Sequence, residues 1–336
     1  GGYYNGSGDT EGAIPHYQKA VEIDKNFAPV HNILGYAFKG LGKYKEAEDA
    51  FKRYMELAPK SPNPTDSYAE LLLKMGRFDE SIQYYQKAAD MDPAFTGAIG
   101  GIGFNYIHKG DFAKAREYFG TQYAKGPQPN LKLAALANTM LSYLHEWNIE
   151  AALKAAEQYG SFAEQQNLLG GLFTHQVFLG WIHLETGKAE EAKKYFGQAR
   201  ARNESPPLSA AAKGFNDVNL QAAMCYVMLR SKDFSGAKKG LEDLKKTVEE
   251  RNYRFEQEAF HTAMGNLETE QGNYDQAIEH LMKGDPENPY NRFSLAVAYE
   301  RKGDQANAKK WYKETANWNW TGFAYALVRA RAMKKM

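Results

Sequence analysis

The chain has 336 residues, 42 of them lysine or arginine against 41 aspartate or glutamate, with charged residues at 25%. That near-neutral balance excludes bulk attraction to nucleic acid or to an anionic membrane, and no apolar run approaches the roughly 18–20 residues needed for membrane insertion. The single cysteine, Cys225, excludes an internal disulfide framework and a cysteine-built zinc site.

In chain order, residues 1–27 predict half of a repeating unit. Gly8 and DTEGAIPHYQKAVEID read as a second helix, with too few residues before it for a first. Ile14, Tyr17 and Val21 are expected to pack on the next helix, and an array that opens on half a unit exposes an apolar edge unless something covers it. A start at Gly1 without methionine reads as a processed form or a fragment, which favours export over the cytoplasm. Residues 28–129 hold three regular units in which the same few positions recur. A turn glycine stands at Gly42, Gly76 and Gly110, a small residue at Ala47, Ser81 and Ala115, a large one at Phe51, Tyr85 and Phe119, and a closing proline at Pro59, Pro93 and Pro127. The glycine stops one helix in the left-handed conformation. The small and large residues, four apart, share one face of the next helix.

Residues 130–217 predict two divergent units. The first, around LANTMLSYLHEWNIEAALKAAEQYG, has lost its turn glycine. The second keeps Gly187, Ala192 and Phe196 and is followed by an insertion containing NESPP; a domain boundary, if there is one, falls at Pro206-Pro207. Residues 218–320 return to three units. The first has Cys225 where a glycine is usual and Lys232 at the turn; the others carry Gly272, Ala277 and Leu281, then Gly303, Ala308 and Tyr312. Residues 321–336, TGFAYALVRARAMKKM, predict a capping helix whose basic end suits the helix dipole.

At Leu34-Gly35, Ala47, Phe51, Tyr54 and Pro59 the chain resembles the tetratricopeptide repeat family, and NPTDSYAELLLKMGRFDESIQYYQKA is similar to its bacterial members. The resemblance implies an all-α fold, a right-handed superhelical solenoid of antiparallel helix pairs. It also implies that the residue after the Leu-Gly position points into a concave groove. That residue is Tyr36, Glu70, Phe104, Trp181, Tyr226, Asn266 or Val297 in successive readable units. The four aromatics are candidates for a binding stripe, since rings give large contact area at little rotamer cost; the plainer reading is that neighbouring helices partly cover them. Asn32, Asn266 and Arg301 are candidate hydrogen-bonding groups, and Glu70 disfavours an acidic ligand. The pairs Asn32 with Tyr36, Asp66 with Glu70 and Gly100 with Phe104 depart from the lysine–asparagine clamp by which some family members grip a C-terminal carboxylate.

Nothing in the sequence predicts catalysis, a metal or a cofactor. GAIGGIGFNY has neither the strand nor the lysine of a phosphate loop and reads as close helix packing at Gly103. His175 and His183 lie eight apart, not at a two-ligand helical spacing. Cys225 reads as a buried spacer without a base beside it. The expected function is a non-catalytic scaffold that binds an extended peptide or partner protein in its groove. The alternatives are an assembly subunit, self-associating or docking through its open N-terminal edge, and a module that binds a glycan or small ligand on the groove aromatics.

Overall fold

The computed structural model describes residues 10–204 and 209–336. Among them are 18 helices and no strand. In chain order these are α1 (Thr10–Ile23), α2 (Ala28–Gly40), α3 (Tyr44–Leu57), α4 (Pro62–Lys74), α5 (Phe78–Met91), α6 (Thr96–Lys109), α7 (Phe112–Lys125), α8 (Pro129–His145) and α9 (Ile149–Gln165). They continue as α10 (Leu169–Glu185), α11 (Ala189–Asn203), α12 (Ala210–Arg230), α13 (Phe234–Arg251), α14 (Arg254–Gln271), α15 (Tyr274–Met282), α16 (Pro289–Lys302), α17 (Gln305–Ala316) and α18 (Phe323–Met333). The fold is the all-α solenoid of helix pairs, in which consecutive helices pack against each other and short turns make each pair antiparallel. Gly8 and the Pro206-Pro207 boundary lie outside the described residues.

The turns carry the signal read from the sequence. Gly42, Gly76, Gly110, Gly187, Gly272 and Gly303 all have φ between 70° and 90°. Where glycine is missing, the backbone takes the same conformation regardless: Trp147 has φ 59° and Lys232 φ 60°. The turn geometry is thus imposed by packing of the flanking helices, and a residue with a Cβ accepts the strain, on the order of 1–2 kcal/mol. The following helices start on Asp111, Asn148, Asp233 and Asp304, whose side chains accept backbone N–H groups of the first turn.

Within each pair a small residue on the first helix admits a large one from the second. A Cβ on Gly35 would lie 2.5 Å from the Phe51 ring, and one on Gly180 would lie 2.5 Å from Phe196. The glycine run of α6 works the same way, with Gly101 against Tyr85 and Gly103 against Phe119. Close packing accounts for Gly100, Gly101 and Gly103, whereas a Cβ at Gly97 would meet nothing within 4 Å. Cys225 is 2% exposed, and burial pushes its thiol up to about 11, which leaves it unreactive at neutral pH.

Packing divides the chain into two compact units. Unit 1 takes the described residues up to Ser142 together with Asn319–Thr321; unit 2 takes Tyr143–Trp318 and Gly322–Met336. In unit 1, Ile14, Tyr17 and Val21 of α1 pack with Leu34, Ala37 and Phe38 of α2, the contact expected for a half-unit. Phe51, wholly buried, packs with Ala47, Tyr68, Leu71 and Leu72. In unit 2 one continuous core runs from Leu184 to Leu267. The last helix, α18, buries Tyr325, Ala326, Leu327, Val328 and Ala332.

Candidate functional site

The inner face of unit 2 is built on a helical stripe. On α12 the residues Phe215, Asn219, Ala222 and Tyr226 follow one another at steps of four, three and four, so they share one side of the helix. On α14 the same steps give Phe255, Ala259, Thr262 and Asn266. All but Asn266 line a cavity of about 320 Å³ that Trp181 of α10, Asp285, Asn288, Tyr290 and the α18 residues Phe323, Ala324 and Leu327 complete.

The rings stand steeply to one another. Trp181 and Tyr226 have centroids 5.5 Å apart at 58°, Trp181 and Tyr290 5.7 Å apart at 64°, and Tyr226 and Tyr290 5.9 Å apart at 79°. At the mouth, Phe215 and Phe255 meet at 5.4 Å and 65°, and both remain exposed, at 44% and 40%. Phe255 is held there by its surroundings. Arg251 clamps the buried Glu256 carboxylate through hydrogen bonds of 2.8–3.0 Å, and Tyr253 stacks on Phe255 at 5.5 Å.

One turn beyond each groove position lies a charged residue: Glu185, Arg230, Glu270 and Arg301. They alternate in sign and pair in series, Arg230 with Glu185 and with Glu270 at 3.9 Å, and Arg301 with Glu270 at 3.0 Å. The Glu185 carboxylate is 1% exposed; it accepts the Tyr290 hydroxyl at 2.7 Å and pairs with Arg331 of α18. Burial, then the charge of Glu185, raises the pKa of Tyr290 well above its usual value. Thus α18 does more than cap the end of the array. Besides packing on α16 and α17, it sets Phe323 against Phe178 at 4.7 Å, Tyr325 against His145 at 5.4 Å and Arg331 over Trp147 and Phe293. Through these side chains the helix reaches His145, α10 and α16 of its own unit and lines the cavity.

Profiles of the tetratricopeptide repeat match residues 28–61 and 176–204, 72–138 and 262–319, and a further TPR repeat profile matches residues 3–42. Together they take in more than half of the chain. This is a tetratricopeptide-repeat protein. Among curated relatives it is 29% identical over 86 residues to small glutamine-rich tetratricopeptide repeat-containing protein 2 of Mycosarcoma maydis, covering 26% of this chain and 24% of the relative. It is 22% identical over 165 residues to anaphase-promoting complex subunit 3 of Schizosaccharomyces pombe, covering 48% and 24%. The matched stretch thus spans about a quarter of each of these relatives. Among solved structures, a tetratricopeptide repeat protein from Parabacteroides merdae aligns with a TM-score of 0.49 at 14% identity, over 88% of this chain and 98% of that one. Tetratricopeptide-repeat arrays support protein–protein interaction and are generally non-catalytic.

In the repeat protein's unit 1, the groove positions are engaged with one another. The half-buried Tyr36 hydroxyl donates to Glu70 at 2.9 Å and lies 3.3 Å from the Ser67 hydroxyl, its ring packs edge-on to Phe51, and Lys39 pairs with Glu70. Burial first, then Glu70, raises the Tyr36 pKa. Phe104 is 7% exposed and packs at 5.3 Å on Phe119, so it is part of the core and offers no open face to a ligand. Asn32 and Asp66 each have a buried Oδ1 without a hydrogen-bond partner among the described residues. Burial, then the charge of Glu70, pushes the Asp66 carboxyl up to about 7. Lys39 and Lys74 lie 5.5 and 5.4 Å from the centre of the Trp320 ring, which stays 37% exposed.

In unit 2 the structure brings Trp181 and Tyr226 together; Tyr226 is 8% exposed and belongs to the core, and unlike Phe104 it edges the cavity. Asn266 lies beside them, its amide donating to the Thr262 carbonyl at 2.8 Å and its Oδ1 accepting from Ser294 at 3.1 Å. Arg301 is spent on Glu270. Sequence reasoning missed Phe215, Phe255, Tyr290 and Phe323. A signal for the first two exists, since each stands eleven residues before a groove position, on turns that the shorter helices of unit 1 lack. The charge ladder was equally readable, four residues past the same positions. His183 stacks on Tyr195 at 5.3 Å and 2°, and burial lowers its pKa. No group of three or more potential metal ligands exists among the described residues, and none of their helices is long and apolar enough to cross a membrane.

Proposed function

We propose that this tetratricopeptide-repeat protein is a non-catalytic scaffold that holds an extended segment of a partner protein on the inner face of unit 2, with one side chain of that segment inserted between Trp181, Tyr226, Phe215 and Phe255. The cavity of about 320 Å³ carries this reading. It lies at the lower end of the range for ligand sites, which suits one residue and not a folded element. The α18 residues Phe323, Ala324 and Leu327 close the cavity opposite the α12–α14 stripe, which favours an extended segment over a bulkier helix. Exposed phenylalanines beside an apolar hollow also match the composition of binding hot spots, where aromatic anchors fill well-packed pockets.

The test is selection of a displayed peptide library on the full chain, followed by titration of selected peptides against the Trp181→Ala and Phe255→Ala variants. Each variant should weaken binding by about 2 kcal/mol, roughly thirtyfold. Phe255, being exposed, should do so with little change in melting temperature. Selected peptides that bind both variants as tightly as the parent would defeat the proposal.

A second reading, self-association through the N-terminal edge, is favoured by Ile23 and Phe27, which are 79% and 51% exposed beside the α1–α2 contact. Sedimentation equilibrium decides it: a concentration-dependent dimer lost in Ile23→Lys supports that reading, and a monomer at all concentrations refutes it.

A further inference from the structure

We infer that the side chain selected by the unit 2 cavity is cationic, a lysine or arginine of the partner segment. This deepens the reading just given and rests on it. Three observations lead there. Trp181, Tyr226 and Tyr290 all line the cavity, with their planes inclined at 58–79° to one another, so their faces are turned in different directions. These angles do not make a flat platform of parallel rings. A cation is attracted to the face of every such ring.

The second observation is charge. Asp285 is the sole acidic residue lining the cavity, and no lysine or arginine lines it. The Asp285 carboxylate accepts the Glu287 amide at 2.8 Å and joins no ion pair among the described residues. Basic side chains on the surrounding segments are already committed: Arg251 to Glu256, Arg254 to Glu258 and Lys283 to Glu279, each at 2.7–2.8 Å. The third is that Asp285 lies near α14: burial raises the Glu258 pKa, the hydrogen bond from Arg254 lowers it, and the charge of Asp285 adds to the rise. The acidic side of the hollow is thus Asp285 itself, beside the Arg254–Glu258 pair of α14. Glu185, behind Tyr290, adds little, because Arg331 and Arg230 offset it.

The experiment uses the full chain labelled with 5-fluorotryptophan, with the Trp181 fluorine resonance assigned from a Trp181→Phe variant. It is titrated with n-butylguanidinium, with the isosteric but neutral n-butylurea, and with a methyl glucoside. The guanidinium should shift the Trp181 resonance at concentrations about five- to thirtyfold below those needed for the urea, the range expected of a cation over desolvated rings. Asp285→Asn, which keeps an oxygen to accept the Glu287 amide and leaves the rings in place, should lower that ratio by about twofold or more while the rings retain the rest. A urea that binds as well as the guanidinium, a glucoside that shifts the resonance where the guanidinium does not, or no shift with any probe overturns the inference. If charge proves irrelevant while displayed peptides still need Trp181 and Phe255, only the selectivity falls. If the peptides ignore both residues, the binding site falls with it.

Discussion

Replacing Arg331 by methionine should loosen α18 from the inner face of unit 2. The Glu185 carboxylate is 1% exposed, and its partners are Arg331, the Tyr290 hydroxyl at 2.7 Å and Arg230 at 3.9 Å. Removing one member of a buried pair costs about 3–5 kcal/mol because the other charge is left uncompensated. Here the hydroxyl and the second arginine remain, so the loss should fall near the lower end, about 3 kcal/mol. Replacing Glu185 by leucine in the same chain removes the stranded charge, and the double variant should recover most of that loss. Urea unfolding gives the three free-energy differences, and hydrogen exchange of peptides covering Phe323–Met333 locates them. An Arg331→Met variant within about 0.5 kcal/mol of the parent, with α18 protected as before, would refute the role assigned to this ion pair.

Phe51→Ala, at a fully buried ring packed on Gly35, should cost roughly 3–5 kcal/mol. Hydrogen exchange should show the damage concentrated in α2–α5, and uniform loss from end to end would contradict coupling between neighbours. Lys232→Gly relieves a left-handed turn residue with φ 60° and should stabilise unit 2 by about 1 kcal/mol, read as a higher urea midpoint. Asp66 has a carboxyl pushed up to about 7 by burial and Glu70. Its contribution to stability is therefore complete below the ordinary carboxylate pKa and is lost as pH rises through 7. Asp66→Asn should accordingly change little below the ordinary carboxylate pKa and stabilise unit 1 progressively above it, the gain growing by roughly 2–3 kcal/mol between pH 5 and pH 8. Equal urea midpoints for parent and variant at pH 8 would show that Asp66 is not buried as described.

The parts of this molecule legible in the sequence are those fixed by local geometry. A turn glycine such as Gly110 announces a left-handed backbone, and the pairing of Gly35 with Phe51 follows from small and large residues at fixed helical spacing. Even the divergent turn at Lys232 was marked by the missing glycine. What escaped reading depends on contacts far apart in the chain. Glu185 and Arg331 are 146 residues apart, and nothing in TGFAYALVRARAMKKM shows that its arginine returns to the inner face. The groove aromatics were chosen by one equivalent position, but each unit uses that position differently. Phe104 is drawn into the core by Phe119, Tyr36 is satisfied by Glu70, and only Trp181 and Tyr226 converge on a hollow. That hollow exists because α12 and α14 carry extra N-terminal turns, 21 and 18 residues against 13 in α2 and α4, and those turns bring Phe215 and Phe255 to its mouth.

Hydrogen exchange of the full chain, with and without a peptide selected on it, tests the placement of the site most directly. Added protection at 215–226 and 255–266, with none at Thr10–Ile23, is the result expected of a segment held on the α12–α14 stripe. Protection confined to Thr10–Ile23, or a bound peptide that leaves both stripe segments exchanging as before, would contradict it.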